Sequence, residues 1–190
     1  MVKNEMFEIV RLLMQKSEPM TIREISLKRK INYKSAYEAL MKLEKEGAVN
    51  ITKKGNTKLC VFSKKLTKTS YLVEMQKTKD LTKIKDIKVI YEELLKIPYQ
   101  FIALIFGSYA KNNQTKESDI DLLIVSKDSE EIIQKLSWIP KKIDFTNINY
   151  EEFLEMLNSK KFNVVNEAIK NNTILIGIED YYRFLNYVNP

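Results

Sequence analysis

Histidine does not occur among the 190 residues. That absence excludes His-based triads, histidine general bases and the usual zinc sites together. The single cysteine, Cys60, excludes an internal disulfide and fits a reducing compartment. It lies in an apolar, strand-like stretch and reads as a buried structural thiol. No apolar run approaches about 20 residues, so no transmembrane helix is expected. The opening residues, Met1-Val2-Lys3-Asn4-Glu5, lack the apolar core and cleavage site of a signal peptide, and a cytoplasmic location is expected. Internal repeats and low-complexity tracts are also missing.

What is present is an uneven distribution of charge. The length allows one large or two small domains, and the net charge is +7. Residues 1–68 carry 16 Lys and Arg against 7 Asp and Glu, a balance of +9, whereas residues 69–190 carry 16 against 18, a balance of −2. A basic N-terminal part on a near-neutral remainder suggests a polyanion-binding module joined to something else.

The basic part reads as three helices and a hairpin. Apolar residues from Met6 to Met14 give a broad face to a helix over residues 4–16, which Ser17-Glu18-Pro19 ends, because proline restricts the residue before it. Thr21 with Glu24 three positions later forms a capping box for a second helix. Asn32 caps a third, running to about Glu46, with Tyr33, Ala36, Tyr37, Leu40 and Leu43 as its buried face. Gly47 is its stop. Val49–Thr52 and Lys58–Phe62 alternate as strands joined by a turn over Lys53-Lys54-Gly55-Asn56. This order resembles a winged helix-turn-helix. The resemblance implies that the third helix enters the DNA major groove by its N-terminal end. Asn32, Tyr33, Lys34 and Ser35 then face bases or phosphates, and Lys53, Lys54 and Lys58 on the wing contact phosphates. The competing reading is a dimerisation or protein-docking module with solvated lysines; the concentration of charge favours DNA.

Residues 67–88 are rich in Lys and Thr and weakly periodic. They read as a weakly packed linker with a helical piece around Tyr71–Gln76, followed by a firmer helix over Asp86–Lys96 that Pro98 closes. Phe101–Phe106 is a strand leading into Gly107-Ser108-Tyr109-Ala110. A second strand, Ile120–Val125, follows Ser118-Asp119. Strand side chains alternate, so Asp119 and Asp121 point the same way, roughly 7 Å apart. Two carboxylates on one face suit Mg²⁺, which takes further oxygens from substrate phosphates. Gly107 lets backbone N–H groups approach an anion, and the Ser108 hydroxyl adds a hydrogen bond. Downstream, Asp128 and Ser129 cap a helix to Leu136, and residues 142–146 form a strand carrying Asp144. Asn149 caps a helix over Tyr150–Asn158, and Phe162–Lys170 is another. Thr173–Gly177 is a strand, and Ile178–Val188 a last helix whose aromatics belong to the core.

Gly-Ser, a loop, then Ser-Asp-x-Asp and an apolar strand resemble the minimal nucleotidyltransferases of the DNA polymerase beta superfamily. Gly107, Ser108, Ala110, Ser118, Asp119, Asp121 and Leu122 stand at the family positions, and Ile174-Leu175-Ile176-Gly177 resembles the family's terminal segment. Two positions depart: Lys111 where Arg is common, and Asn112 where Gly is common. Asn tolerates the left-handed conformation better than most residues, so the loop is expected to turn. The resemblance covers roughly the last half of the chain. It implies a third metal-site carboxylate on a neighbouring strand, for which Asp144 is the candidate. It also implies Mg²⁺ at Asp119, Asp121 and Asp144, with Gly107, Ser108, Lys111 and Ser118 binding the nucleotide.

The expected fold is therefore mixed α/β. Residues 1–68 form the winged helix-turn-helix, 69–96 a linker and connecting helix, and 97–190 a polymerase-beta-like nucleotidyltransferase domain with a small mixed sheet. The expected function is Mg²⁺-dependent transfer of a nucleoside monophosphate from ATP or another NTP to an acceptor hydroxyl. Small members of the family act as antitoxins that modify a helical HEPN-type toxin, and others modify small molecules. Expected partners are duplex DNA, an NTP, a HEPN-type protein and a second copy of the chain, with no membrane. The alternative is a DNA-binding regulator whose nucleotidyltransferase domain only senses nucleotide or binds a partner.

Overall fold

The computed structural model describes residues 2–16, 18–159 and 161–188, with side chains from residue 5 onward. Ser17, part of the expected stop after the first helix, lies outside them. The chain divides into two compact units, Met1–Val73 and Glu74–Pro190.

In the first unit, helices α1 (Val2–Met14), α2 (Ile22–Arg29) and α3 (Tyr33–Glu46) precede a hairpin of β2 (Val49–Lys54) and β3 (Thr57–Phe62). Local chemistry explains the breaks. Thr21 and Glu24 close the capping box on α2, and the Asn32 side chain accepts from the Ser35 N–H at the start of α3. Gly47 ends α3 in the left-handed conformation. The short strand β1 (Met20–Thr21) pairs antiparallel with β3, a ladder too short to leave a pattern in the sequence. The hairpin is tighter than expected. Lys53 pairs with Lys58 and Lys54 with Thr57, so the two lysines belong to the strand and only Gly55-Asn56 turns. Ile9, Val10, Leu13, Ile25, Ala36, Leu40, Leu43 and Cys60 are buried together. Burial pushes the Cys60 thiol up to about 11, with Glu44 adding to the effect, as befits an inert structural thiol.

The buried side of α3 differs from the expected one. Ala36, Ala39, Leu40 and Leu43 face the core, while Tyr33 and Tyr37 stand outside. Counting tyrosine as apolar rotated the expected face; its polar tip lets it sit at the water boundary.

Residues 68–81 are one continuous helix, α4 (Lys68–Leu81), and not a loosely packed linker around a short helical piece. Its buried positions are Ser70, Val73, Glu74, Thr78 and Leu81. They recur at helical spacing, but three are polar, so no apolar stripe announces the helix. In the first unit, Thr69 donates from its N–H and hydroxyl to the Glu46 carboxylate, both at 2.7 Å. In the second unit, Thr78 donates to the Ile174 carbonyl at 2.6 Å and Tyr182 to Glu74 at 2.8 Å. Lys77 pairs with the other Glu74 oxygen at 2.8 Å.

The second unit is built on a four-stranded mixed sheet of order β6-β5-β4-β7. Its strands are β4 (Ile102–Ile105), β5 (Ile120–Val125), β6 (Ile143–Ile148) and β7 (Thr173–Ile176). β5 and β6 run parallel, whereas β4 is antiparallel to both β5 and β7. All of β4, and all of β5 except Asp121, is buried. Ile120, Leu122 and Ile124 pack with α5 (Lys85–Leu94) and α7 (Glu130–Leu136), which leaves Asp121 on the opposite face of the strand. Asn149 caps α8 (Tyr150–Asn158) with a capping box to Glu152. Ser129 makes no side-chain cap on α7, and Asp128 instead accepts from the Glu130 N–H at 3.2 Å. α9 is shorter than expected, Val164–Ala168, with Asn163 as its cap, and α10 spans Ile178–Val188. Tyr181, Tyr182 and Leu185 of α10 are buried, as expected of core aromatics, while Tyr187 is exposed. Gly177, between β7 and α10, has φ +82°, and a Cβ there would meet the Phe101 carbonyl. No helix among the described residues is long and apolar enough to cross a membrane.

Candidate active site

The parallel pairing of β5 and β6 sets Asp121 directly opposite Asp144. Asp119 lies just before β5, where the Ile120 N–H donates to the Lys142 carbonyl at 3.0 Å and fixes the start of the ladder. Two backbone segments thus bring the three aspartates to one end of the sheet, and the short helix α6 (Gly107–Ala110) closes on them from β4. The Phe106 N–H donates to the Asp121 carbonyl at 3.1 Å. Gly107, at φ +64°, then passes so close to the Asp121 carboxylate that a Cβ would overlap its Oδ2. Glycine is required there twice over, by conformation and by space.

The electrostatics of the cluster follow from this crowding. The Asp121 carboxyl is held above its ordinary range, first by burial, then by the charges of Asp144 and Asp119, with Glu167 of α9 adding to them. Removal from water and like charges both disfavour the ionised form. Lys142 forms an ion pair with Asp119, and its ammonium is held above the ordinary lysine range by that hydrogen bond and charge. Sequence reasoning used Lys142 only as a neighbour of Asp144. Its position one residue before β6, beside the start of β5, is a consequence of parallel register that the sequence does not display.

The loop after α6 turns as expected. Asn112 has φ +57° and makes the left-handed turn without glycine. Its N–H donates to the Tyr109 carbonyl at 3.2 Å. Ser108 is half-buried at the start of α6, and Lys111 is exposed. The Ser118 hydroxyl accepts from the Thr115 N–H at 2.9 Å, so it braces the loop that leads into Asp119. Gln114 in the same loop has a buried side-chain oxygen without a hydrogen-bond partner.

Among the described residues, no group of three or more His, Cys, Asp and Glu side chains gathers into a cage that holds an ion by itself. The donor chemistry nevertheless fits a hard divalent cation. The facing carboxylates of β5 and β6 offer only oxygen, Asp121 is short of positive charge, and Mg²⁺ characteristically takes one or two carboxylates and completes its shell with water and phosphate. A separate cavity of about 580 Å³, lined by Tyr99, Ser126, Tyr150, Asp180 and Phe184 among others, shares no residue with the aspartate cluster. It begins beyond the carboxyl end of β5, at Ser126.

In the first unit, the expected DNA-facing residues lie at the start of α3 and along the hairpin. Tyr33, Lys34, Lys53 and Lys54 are exposed and Ser35 and Lys58 half-buried. The Asn32 side-chain oxygen accepts the cap from the Ser35 N–H at 2.7 Å, so its amide nitrogen is the side chain's remaining polar atom.

Residues 8–65 match the family model described as sugar-specific transcriptional regulator TrmB. Three proteins of Methanocaldococcus jannaschii, each described as a "putative protein adenylyltransferase", are similar to part of the chain. One is 35% identical over 104 residues, 54% of this chain and 94% of the relative. Another is 30% identical over 89 residues, 44% of this chain and 66% of the relative. A third is 49% identical over 47 residues, 24% of this chain and 48% of the relative. No solved structure matches the chain. Residues 84–182, more than half of the chain and the whole span from α5 through the aspartate cluster into α10, match the model of the nucleotidyltransferase domain, and to that family the chain belongs.

Proposed function

We propose that the chain transfers a nucleoside monophosphate from ATP, or another NTP, to a hydroxyl on a protein partner, and that the winged helix of residues 1–68 holds the enzyme on duplex DNA. The observation that carries the reading is the register of Asp121 against Asp144, with the Gly107 backbone packed on the Asp121 carboxylate. ATP and a protein acceptor are favoured by the description shared by the relatives, and DNA by the TrmB match.

In this reading Asp119, Asp121 and Asp144 would hold Mg²⁺, which supplies the positive charge that stabilises the attacking and leaving oxygens of an in-line displacement. Gly107 and Ser108 present backbone N–H groups and a hydroxyl to the triphosphate, and Lys111 balances its charge. Ser118 serves by bracing the loop around that nucleotide. The acceptor oxygen attacks the α-phosphorus, the bond to the β-phosphate oxygen breaks, and pyrophosphate leaves. Asp144, exposed at the edge strand β6, takes the hydroxyl proton. Lys142 holds Asp119 in an ion pair until the site is loaded. The acceptor of this reading is a helical protein of the HEPN type, and a second copy of the chain is the other protein partner it includes.

Incubation of the full chain with ATP labelled at the α-phosphate, Mg²⁺ and a HEPN-type protein tests it directly. Label should pass to the protein, and Asp144→Asn should slow the transfer by about 10²-fold or more. No transfer to any protein, with nucleotide still bound, would leave the domain as a nucleotide sensor and overturn the proposal.

A further inference from the structure

Tyr33 and Tyr37 are 56% and 37% exposed on the outside of α3. Four residues apart on a helix, they lie one above the other. Their rings stack with centroids 6.5 Å apart and planes at 24°. Lys58 of β3 holds Tyr37 from the hairpin side. Its ammonium stands 4.7 Å from the centre of the Tyr37 ring, donates to the Tyr37 hydroxyl at 3.2 Å, and touches the Met41 sulfur at 3.9 Å. Single exposed aromatics need no explanation. Two stacked rings, one of them held by a lysine from another element, and left open to water, form a prepared apolar surface.

The surroundings say what covers it. Lys34, Lys53 and Lys54 are exposed in the same unit, and residues 1–68 carry a balance of +9. The occupant is therefore a polyanion that also presents apolar groups. Duplex DNA meets both conditions in its major groove, where the thymine C5-methyl is the apolar group on a base edge and accepts aromatic contact. The 6.5 Å between rings is close to two base-pair rises, about 6.8 Å.

We propose that Tyr33 and Tyr37 form a ledge that reads thymine methyl groups two base steps apart, with Lys58 as the residue that positions Tyr37. The inference rests on the DNA-binding reading above and adds what part of the sequence is recognised. Tyr37 and Lys58 are thereby specificity determinants, whereas the amphipathic pattern of α3 places Tyr37 in the core.

The experiment uses the full chain. A duplex selected from a random library is compared with the same duplex carrying deoxyuridine for thymidine, which removes only the methyl groups. Affinity should fall about 3- to 10-fold for each methyl that is read. Tyr33→Ala and Tyr37→Ala should bring the thymidine-to-deoxyuridine ratio towards one while leaving the salt dependence of binding in place. Lys58→Met should lower the same ratio, and Lys58→Arg, which keeps a cation over the ring, should restore part of it. Circular dichroism should show these surface variants folded. Equal affinity for the two duplexes, or selected sites without paired thymines, overturns the methyl ledge while the DNA reading stands. Failure to bind any duplex overturns both. Self-association abolished by Tyr33→Ala, in a chain that does not bind DNA, would make the face a protein contact instead.

Discussion

Gly107 and Asp121 work as one device. The carboxylate occupies the space that a side chain at 107 would need, and the backbone there has φ +64°. Gly107→Ala therefore meets a conformational penalty of about 1–2 kcal/mol and displaces Asp121 as well. The expected outcome is a lower Tm together with loss of nucleotide transfer, measured by thermal unfolding and by labelled-ATP incorporation; a variant with full activity would show that Asp121 does not act from this position. Asp121 itself has the opposite balance. Burial, Asp144 and Asp119 raise its pKa in the folded chain. The folded state therefore holds a proton on Asp121 over a pH range in which the unfolded state has released it. The stability associated with that proton is present below the ordinary carboxylate value and is lost as pH rises through the raised one. At neutral pH without metal, Asp121→Asn should melt higher than the parent, and the difference should shrink as pH falls into the carboxylate range. The same variant should transfer no nucleotide. A lower Tm at neutral pH would argue against repulsion at this cluster. This is the pattern of a site that trades stability for charge.

Among the elements, α4 shows how a helix is stabilised without an apolar stripe. Glu74 is 3% exposed, with Tyr182 on one oxygen and Lys77 on the other. Burial, reinforced by Glu74, drives the Tyr182 hydroxyl well above the ordinary tyrosine value, so it stays protonated as a donor. Tyr182→Phe leaves the Glu74 oxygen short of a partner in a buried place and should cost about 1–3 kcal/mol. Thr78→Val similarly strips a donor from the Ile174 carbonyl. Denaturant titration measures both, and a change within experimental error would mean that water replaces the lost donors. The same helix marks the limit of what the sequence displays. Hydrophobic period finds helices whose buried face is oily, as in α1 and α5, and side-chain caps at Thr21, Asn32 and Asn149 are visible as residue types at fixed spacing. Ser70 is satisfied locally, by Lys65 and Thr67, but Glu74 and Thr78 depend on Tyr182 and Ile174, about a hundred positions away in the chain, and no local window contains those partners. For the aspartate cluster, the Gly-Ser and Asp-x-Asp spacing was legible because loop and strand are contiguous. The role of Lys142 was not, because it depends on the register between β5 and β6.

For the molecule as a whole, charge and chemistry are separated along the chain. The balance of +9 lies in residues 1–68 and −2 in the remainder, while the aspartate cluster belongs entirely to Glu74–Pro190. The two proposed activities, assigned to different residues in different units, should be separable by mutation. If Lys34, Lys53 and Lys54 each neutralise one phosphate, three contacts give a slope of about −2.7 in log affinity against log salt for one chain on DNA. Between 50 and 200 mM salt this amounts to roughly 40-fold in affinity. Lys53→Glu with Lys54→Glu should flatten the slope by about two and weaken binding to all sequences alike, because phosphate contacts carry no base information. Transfer of label to a protein acceptor free in solution should be unchanged in that variant. Asp121→Asn should do the reverse, abolishing transfer while the salt slope stays as steep as before. Filter binding across a salt series and labelled-ATP incorporation, run on the same two variants, read both halves of the prediction. If the wing variant loses transfer to a DNA-free acceptor, the wing lysines hold the acceptor as well as DNA, and the basic unit is part of the enzyme's substrate site rather than a separate anchor.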